Sequence, residues 1–176
     1  MGVQMSNHYD EATAGWITDE VSKPAAIIER ESGRVVLKFE TPLRTEEDKA
    51  VWSADSRGLA VAHRANKTTD LKVLFLEGGA FIEGKLPELP EADFKLKRPR
   101  FPGREQHSHL GHDQVLPLRW ITPATLMVSR ELSTTYTSEV ATTYTRRIFI
   151  TLGFNAQHEA AVRNVTREKQ RVVTGD

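Results

Sequence analysis

The chain has 176 residues, which predicts one domain over 1–176, and its 24 Lys and Arg residues balance its 24 Asp and Glu residues. A chain without net charge has no global field to draw it onto nucleic acid or an anionic membrane, so we expect neither as a partner. It contains no cysteine, which excludes disulfides, iron–sulfur clusters and thiol catalysis.

The N-terminal segment carries neither the basic stretch nor the apolar stretch of a signal peptide. No apolar run approaches the roughly 20 residues that a membrane-spanning helix needs. An exported protein whose leader had been removed would look the same, so a periplasmic location stays open and we assign no compartment.

Three tryptophans, Trp16, Trp52 and Trp120, stand at the start of similar segments. Each is followed by a short apolar run and then by a second run with the period of two that is typical of a half-buried strand. We therefore predict an all-β fold of antiparallel repeat sheets. The predicted repeats span about 16–44, 45–90 and 113–168.

The second repeat contains the clearest turn. Trp52 is predicted to end a strand, and the hydroxyl of Ser53 to hold the turn by accepting a backbone hydrogen bond. Gly58 is predicted to take a positive φ. Because side chains alternate across a strand, Leu59 should face one side and the small Ala60 the other, where a neighbouring sheet could approach closely.

The third repeat differs, because residues 131–146 are rich in Thr and Tyr and contain no Gly or Pro. This composition predicts long strands with a protruding tip. We expect one more strand in each of the later repeats, at 80–86 and at 159–165. The spacing of Val162, Val165 and Val172 also fits a helix, and repeat logic favours the strand at 159–165.

Between the second and third repeats lies a segment without periodicity, about 84–114, which we predict to be an irregular insert. Its residues 94–104 interleave five basic residues with phenylalanines. Such a pattern can bind nucleic acid, but local charge compensation or an extended strap anchored by its Phe side chains is the simpler interpretation.

The same insert contains a cluster of three histidines and an aspartate: His107, His109, His112 and Asp113. Imidazole nitrogens and carboxylate oxygens are suitable ligands for zinc or another divalent ion. A solvated polar loop explains the composition equally well. We therefore assign no catalytic, cofactor-binding or metal residue, and keep a metal site at 107–113 as an alternative.

The segment W52-S-A-D-S-R-G-L-A-V resembles the W-S-P-D-G/S-x-x-L-A-V/F signature of TolB-type and WD-like β-propeller repeats. Ala54 stands where that family has Pro, and the copies at Trp16 and Trp120 are more divergent. The resemblance implies four-stranded blades of about 40 residues arranged radially, and this chain has room for about three such units. A β-sandwich of related hairpins is the alternative.

No motif of nucleophilic or phosphate chemistry occurs in the sequence. We therefore expect a non-catalytic protein-recognition or scaffold module that needs no cofactor. Sheet edges of an incomplete ring should bind a protein partner or a second copy. The alternatives are a metal-binding protein or metal-dependent enzyme that uses 107–113, and a regulatory piece related to the propeller of a larger hydrolase.

Overall fold

The computed structural model describes residues 3–5, 26–29, 33–38, 48–65, 67–92, 107–137 and 141–174. These residues form strands and no helix, which confirms the all-β prediction, and they include no helix that could cross a bilayer. Trp16 and the basic segment 94–104 lie outside them. The strands are β1 (Val3–Met5), β2 (Ala26–Glu29), β3 (Val35–Lys38), β4 (Lys49–Trp52), β5 (Gly58–Ala65), β6 (Thr68–Glu77), β7 (Ala80–Glu83), β8 (His107–Thr122), β9 (Thr125–Thr137), β10 (Thr142–Phe154), β11 (Ala160–Arg167) and β12 (Arg171–Thr174).

The first sheet is small and antiparallel, with strand order β1-β2-β3. Its β2 and β3 form the hairpin predicted for the first repeat. A register shift after Ile27 breaks the simple alternation, so Leu37 packs in a hydrophobic cluster while Val35 is 45% exposed. A bulge of this kind adds a residue to one strand and changes which side chains face the core.

The other strands form two antiparallel meanders. The first meander is β4-β5-β6-β7 and the second is β8-β9-β10-β11, with β12 paired to the start of β10. The strand predicted at 159–165 is confirmed as β11. By contrast, β8 begins at His107, inside the segment that we expected to be irregular, because the long β9 supplies backbone partners for it as far as Thr137.

Each meander has a row of three side chains that runs across its first three strands, and the two rows match. In each, the tryptophan near the end of the first strand lies opposite a leucine of the second, and that leucine lies opposite a leucine of the third. The rows are Trp52–Leu59–Leu74 and Trp120–Leu126–Leu152. The two rows therefore have the same register across three strands, while a common origin of the segments stays a prediction.

Strands β4 to β12 form one nine-stranded sheet in which β6 and β8 join the two meanders, and the first meander belongs to two hydrophobic clusters. Leu59 and Val61 belong to a cluster with Ile27 of the small sheet. Ala60 belongs to the main core with Val73 and the apolar face of the second meander. The predicted division of β5 into two faces is therefore confirmed, and because both faces are buried, the strand reads as a nearly continuous apolar run.

The turn after Trp52 is held by Ser53, whose hydroxyl accepts a hydrogen bond from Gly58 N (2.7 Å) and donates one to Asp55 (2.6 Å). The prediction of a positive φ at Gly58 is wrong, because the left-handed residue is Ser56, with φ 57°. Gly58 is needed for a different reason. A Cβ there would lie 3.0 Å from the Trp120 ring, which packs directly over this turn.

Among the described residues, two points of parallel pairing join the meanders. β6 pairs with β8 at Thr68 and Asp113, and Lys85 forms a bridge with Glu159 at the start of β11. Trp120 adds a third connection, since its indole N–H donates to Val51 O at 3.0 Å. Strand β8 therefore crosses the first meander, from β6, with which Asp113 pairs, to β4, to which Trp120 donates.

Candidate functional site

The second meander has an extension beyond the main core, which we call the arm: residues 107–114 of β8, 131–137 of β9, 142–147 of β10, and β12. Its strands lie in the order β8-β9-β10-β12. Ile148 belongs to the main core and Leu132 packs against it, and no described side chain of the arm beyond those two positions takes part. The arm thus corresponds to the long strands that the Thr- and Tyr-rich sequence predicted.

A chain of polar contacts crosses three strands of the arm. His112 Nε2 lies 3.0 Å from Glu131 Oε1, and His112 Nδ1 lies 3.0 Å from the Ser133 hydroxyl. Arg147 donates to Glu131 Oε2 from Nε at 2.8 Å and also from Nη2. Burial alone would raise the pKa of Glu131, but the hydrogen bonds from His112 and Arg147 bring the pKa below its ordinary value.

A bulge at Gly111 makes this chain of contacts possible. Leu110 pairs with Thr134 and His112 with Ser133, so Gly111 is the extra residue of β8. A Cβ at Gly111 would clash with the Ser133 hydroxyl oxygen. Glycine therefore lets Ser133 approach the strand closely enough to meet the His112 ring.

Asp113 lies on the opposite face of β8 from His112, because adjacent residues of a strand point to opposite sides. There it accepts two hydrogen bonds from Arg130, at 2.9 and 2.7 Å. Arg130 also donates to the carbonyls of Leu89 and Pro90, both at 3.0 Å, and so fastens the extended segment 84–92 to the core. Asp113 raises the pKa of Arg130 further.

The side chains that the structure describes do not assemble the alternative metal site at 107–113. His112 and Asp113 face apart, and each already has a polar partner. The backbone of His107 and His109 lies in β8, and their side chains are outside the description. Among the side chains that the structure describes, no group of three His, Asp or Glu residues is arranged to hold a metal ion.

The contacts run from Ser133 to His112 to Glu131, which is the serine–histidine–carboxylate order of a hydrolase triad. The surroundings of Ser133, however, do not suit a nucleophile. Ser133 is only 4% exposed. It sits in a central strand, with His112 opposite it on one side and Thr145 on the other. A nucleophile needs an open approach and donors aimed at an oxyanion, so the contacts here tie strands together.

A second polar cluster, which the sequence did not point to, lies at the β10–β11 turn. His158 has a φ of 58°, stacks on Phe75 with ring centroids 4.0 Å apart, and contacts Glu77 at 2.9 Å. The Asn155 side chain accepts the backbone N–H groups of Gln157 and Glu159. The available signal in the sequence was Asn155, because an Asn side chain can accept backbone hydrogen bonds at the start of a turn that lacks glycine. The cluster fastens the second meander to β6.

The outer edge of β12 is the most exposed apolar feature of the arm. Val172 and Val173 are 53% and 63% exposed and point to opposite faces. No strand within the described ranges pairs with this edge, since the only partner of β12 there is β10. The sequence hinted at β12 only through its paired valines.

Comparison with known proteins adds no constraint on the site. No protein-family model, curated protein or solved structure matches this chain.

Proposed function

We propose that this protein is a non-catalytic protein-recognition module built from propeller-like β repeats, and that it binds a partner through the arm. The feature that carries the proposal is the exposed edge of β12, which forms the outer edge of the arm and presents valines on both faces. Such an edge offers unpaired backbone donors and acceptors, together with apolar side chains, to an extended segment of another chain.

The layered arrangement supports the propeller-like part of the proposal. Each matched tryptophan row faces the sheet that precedes it in the chain: the row of Trp52 packs against Ile27, and the row of Trp120 against the first meander. Successive sheets of a propeller stack face to face in the same sense. On this proposal, the small sheet and the two meanders would correspond to the three predicted blade-like repeats.

The partner class follows from the chemistry of the edge. Main-chain hydrogen bonds along β12 would give affinity without regard to sequence, and Val172 and Val173 would select apolar side chains on alternate positions of the added strand. The balanced charge of the chain favours a protein segment over a polyanion. A second copy of the chain is one such partner.

Site-specific photo-crosslinking tests the proposal. We would place a benzophenone amino acid at Val173 and, as a matched control, at Val35, which is 45% exposed in the small sheet. Irradiation in the native lysate should give discrete adducts from position 173 and none of the same mass from position 35. An adduct of twice the chain mass would identify self-association through this edge.

A control that introduces a charge makes the crosslinking result more specific. Val173→Lys places a charge on the edge and should abolish the adducts formed by the probe at the neighbouring Val172, whereas Val35→Lys should leave them unchanged. The proposal fails if position 173 gives no adduct, or if the adducts from positions 173 and 35 are the same.

A further inference from the structure

The exposed edge of β12 continues into β11, because both strands pair with the same side of β10. β11 pairs with residues 148–154 of β10 and β12 with residues 142–145, and between them Glu168 N donates to Arg147 O at 3.0 Å. Within the described ranges, no strand pairs with the other side of residues 160–174, apart from the contact of Ala160 N with Lys85 O at its start. We call residues 160–174 the β11–β12 edge.

The β11–β12 edge is basic, although the chain as a whole has no net charge. Its one acidic residue, Glu168, lies 3.7 Å from the Arg171 guanidinium, which is itself 67% exposed. The other three cations form no ion pair with any carboxylate that the structure describes. The basic side chains of the edge, all exposed, are Arg163, Arg167, Lys169 and Arg171. Positive charge without a partner therefore lies beside the two exposed valines of β12.

Two of these cations share a face of the sheet with Val173. Arg163 is the extra residue of a bulge in β11, and a Cβ at Gly153 would lie 2.6 Å from its Nε. The Arg163 side chain therefore lies against the backbone of Gly153. Arg171 and Val173 pair with positions of β10 that are an even number of residues from Gly153, and such positions point to the same side. One face of the edge thus carries two arginines and a valine.

This combination fits an extended polypeptide better than a nucleic acid. A peptide that adds a strand satisfies the backbone groups of the edge, and its carboxylates pair with the cations across the strands. Surfaces that bind single-stranded nucleic acid add aromatic side chains on which bases stack, and residues 160–174 contain no Phe, Tyr or Trp. The same cations disfavour direct pairing with this edge of a second copy, because like charges opposite each other are destabilising.

We infer that the segment recognised by this edge is acidic, with Asp or Glu side chains opposite the cations and apolar side chains opposite Val172 and Val173. The inference rests on the proposed function, because it names the partner class of the same edge. Residues 163–173 extend over about 30 Å, so a segment of about ten residues covers them.

Fluorescence anisotropy of labelled peptides mixed with the untagged full chain tests the inference. Each peptide has about ten residues, a central Val-Val pair, and flanking positions that are Glu in the first peptide, Gln in the second and Lys in the third. The Glu peptide should bind about tenfold more tightly than the Gln peptide at about 50 mM salt, and the difference should shrink at about 500 mM. The Lys peptide should bind most weakly.

Charge-removing variants locate the binding. Arg163→Gln combined with Arg167→Gln should weaken binding of the Glu peptide about fivefold and leave that of the Gln peptide unchanged. Lys67→Gln combined with Lys72→Gln is the matched control, because it removes the same charge from exposed positions outside the edge, and it should change neither affinity. Equal losses from the two double variants would mean that the net charge of the chain, and not this edge, attracts the peptide.

The inference is overturned by equal affinities for the Glu and Gln peptides, by no binding of the Glu peptide, or by tighter binding of a labelled single-stranded oligonucleotide. The crosslinking adducts at Val173 test the recognition proposal separately. Adducts at Val173 together with equal affinities for the Glu and Gln peptides would leave that proposal standing and remove only the acidic class of partner.

Discussion

The two meanders share the tryptophan–leucine row on one face and differ on the other. Ala60 of the first meander lies between Val51 and Val73 and is fully buried against the second meander. The corresponding Met127 lies between Arg119 and Thr151, and none of these three residues belongs to the main core. The two meanders therefore have matching residues on the face that carries the row, and differ on the other face, which belongs to the main core only in the first meander.

The largest expected difference comes from placing a charge on that second face. Ala60→Glu should cost more than about 4 kcal/mol of unfolding free energy or prevent folding, because an unpaired carboxylate would be buried between layers. Met127→Glu should cost about 1 kcal/mol or less. Urea denaturation followed by circular dichroism measures both. Equal losses would show that the outer face of the second meander is also covered.

Truncation of the shared row should affect the two meanders alike. Leu59 and Leu126 are both 0% exposed, so Leu59→Ala and Leu126→Ala should each cost about 2–5 kcal/mol by leaving a cavity. The same denaturation experiment compares them. If one variant loses less than about 1 kcal/mol, the two rows do not have equivalent roles.

Two arginine ion pairs on the side of the second meander should differ in the same way as buried and exposed positions do. Arg130→Met removes the partner of Asp113 and two donors to the segment 84–92, and should cost about 2–4 kcal/mol. Arg171→Met is the control, because that side chain is 67% exposed and pairs only with Glu168 at 3.7 Å, and it should cost less than about 0.5 kcal/mol. A cost for Arg130→Met as small as the control's would mean that the segment 84–92 does not depend on Arg130.

The turns after the two tryptophans give a smaller contrast. Ser53→Ala leaves the buried Gly58 N–H without its acceptor and should cost about 1–2 kcal/mol. Thr122, whose hydroxyl accepts the exposed Ala124 N–H at 3.3 Å, should cost less than about 0.5 kcal/mol when changed to Ala. Thermal unfolding resolves this difference, and the reverse order would contradict the assignment of the turns.

The smallest effect is a pH dependence that belongs to the second meander. Because the pKa of Glu131 is lowered in the folded state, its ionised form stabilises the fold above the ordinary value of 4.5. That contribution is lost as the pH falls through the lowered folded-state pKa. The stability gap between the native chain and Glu131→Gln should therefore narrow below pH 4.5, as urea denaturation at a series of pH values would show. A constant gap would contradict it.

Much of the fold could be predicted because it depends on local period and turn chemistry. The faces of β5, the strand at 159–165 and the role of Ser53 all follow from residues within a few positions of each other. The role of Gly58 could not be predicted, since the ring that requires a glycine there belongs to Trp120, 62 residues away in the sequence. The start of β8 at His107 likewise depends on its pairing with β9.

The candidate site was harder to predict for the same reason. The sequence grouped His112 with Asp113 because they are adjacent, whereas strand geometry separates them and joins His112 to Glu131 and Ser133. The bulge that determines this outcome can be recognised only once the register with β9 is known.

The course of β8 across both meanders has a consequence for how the protein folds. The contacts of Thr68 with Asp113 and of Lys85 with Glu159 join residues that are far apart in the sequence. Closing such contacts requires long loops to be ordered before the favourable pairing is gained. The chain should therefore fold in milliseconds to seconds rather than microseconds. The contacts of the first meander are complete only when the second meander has also formed.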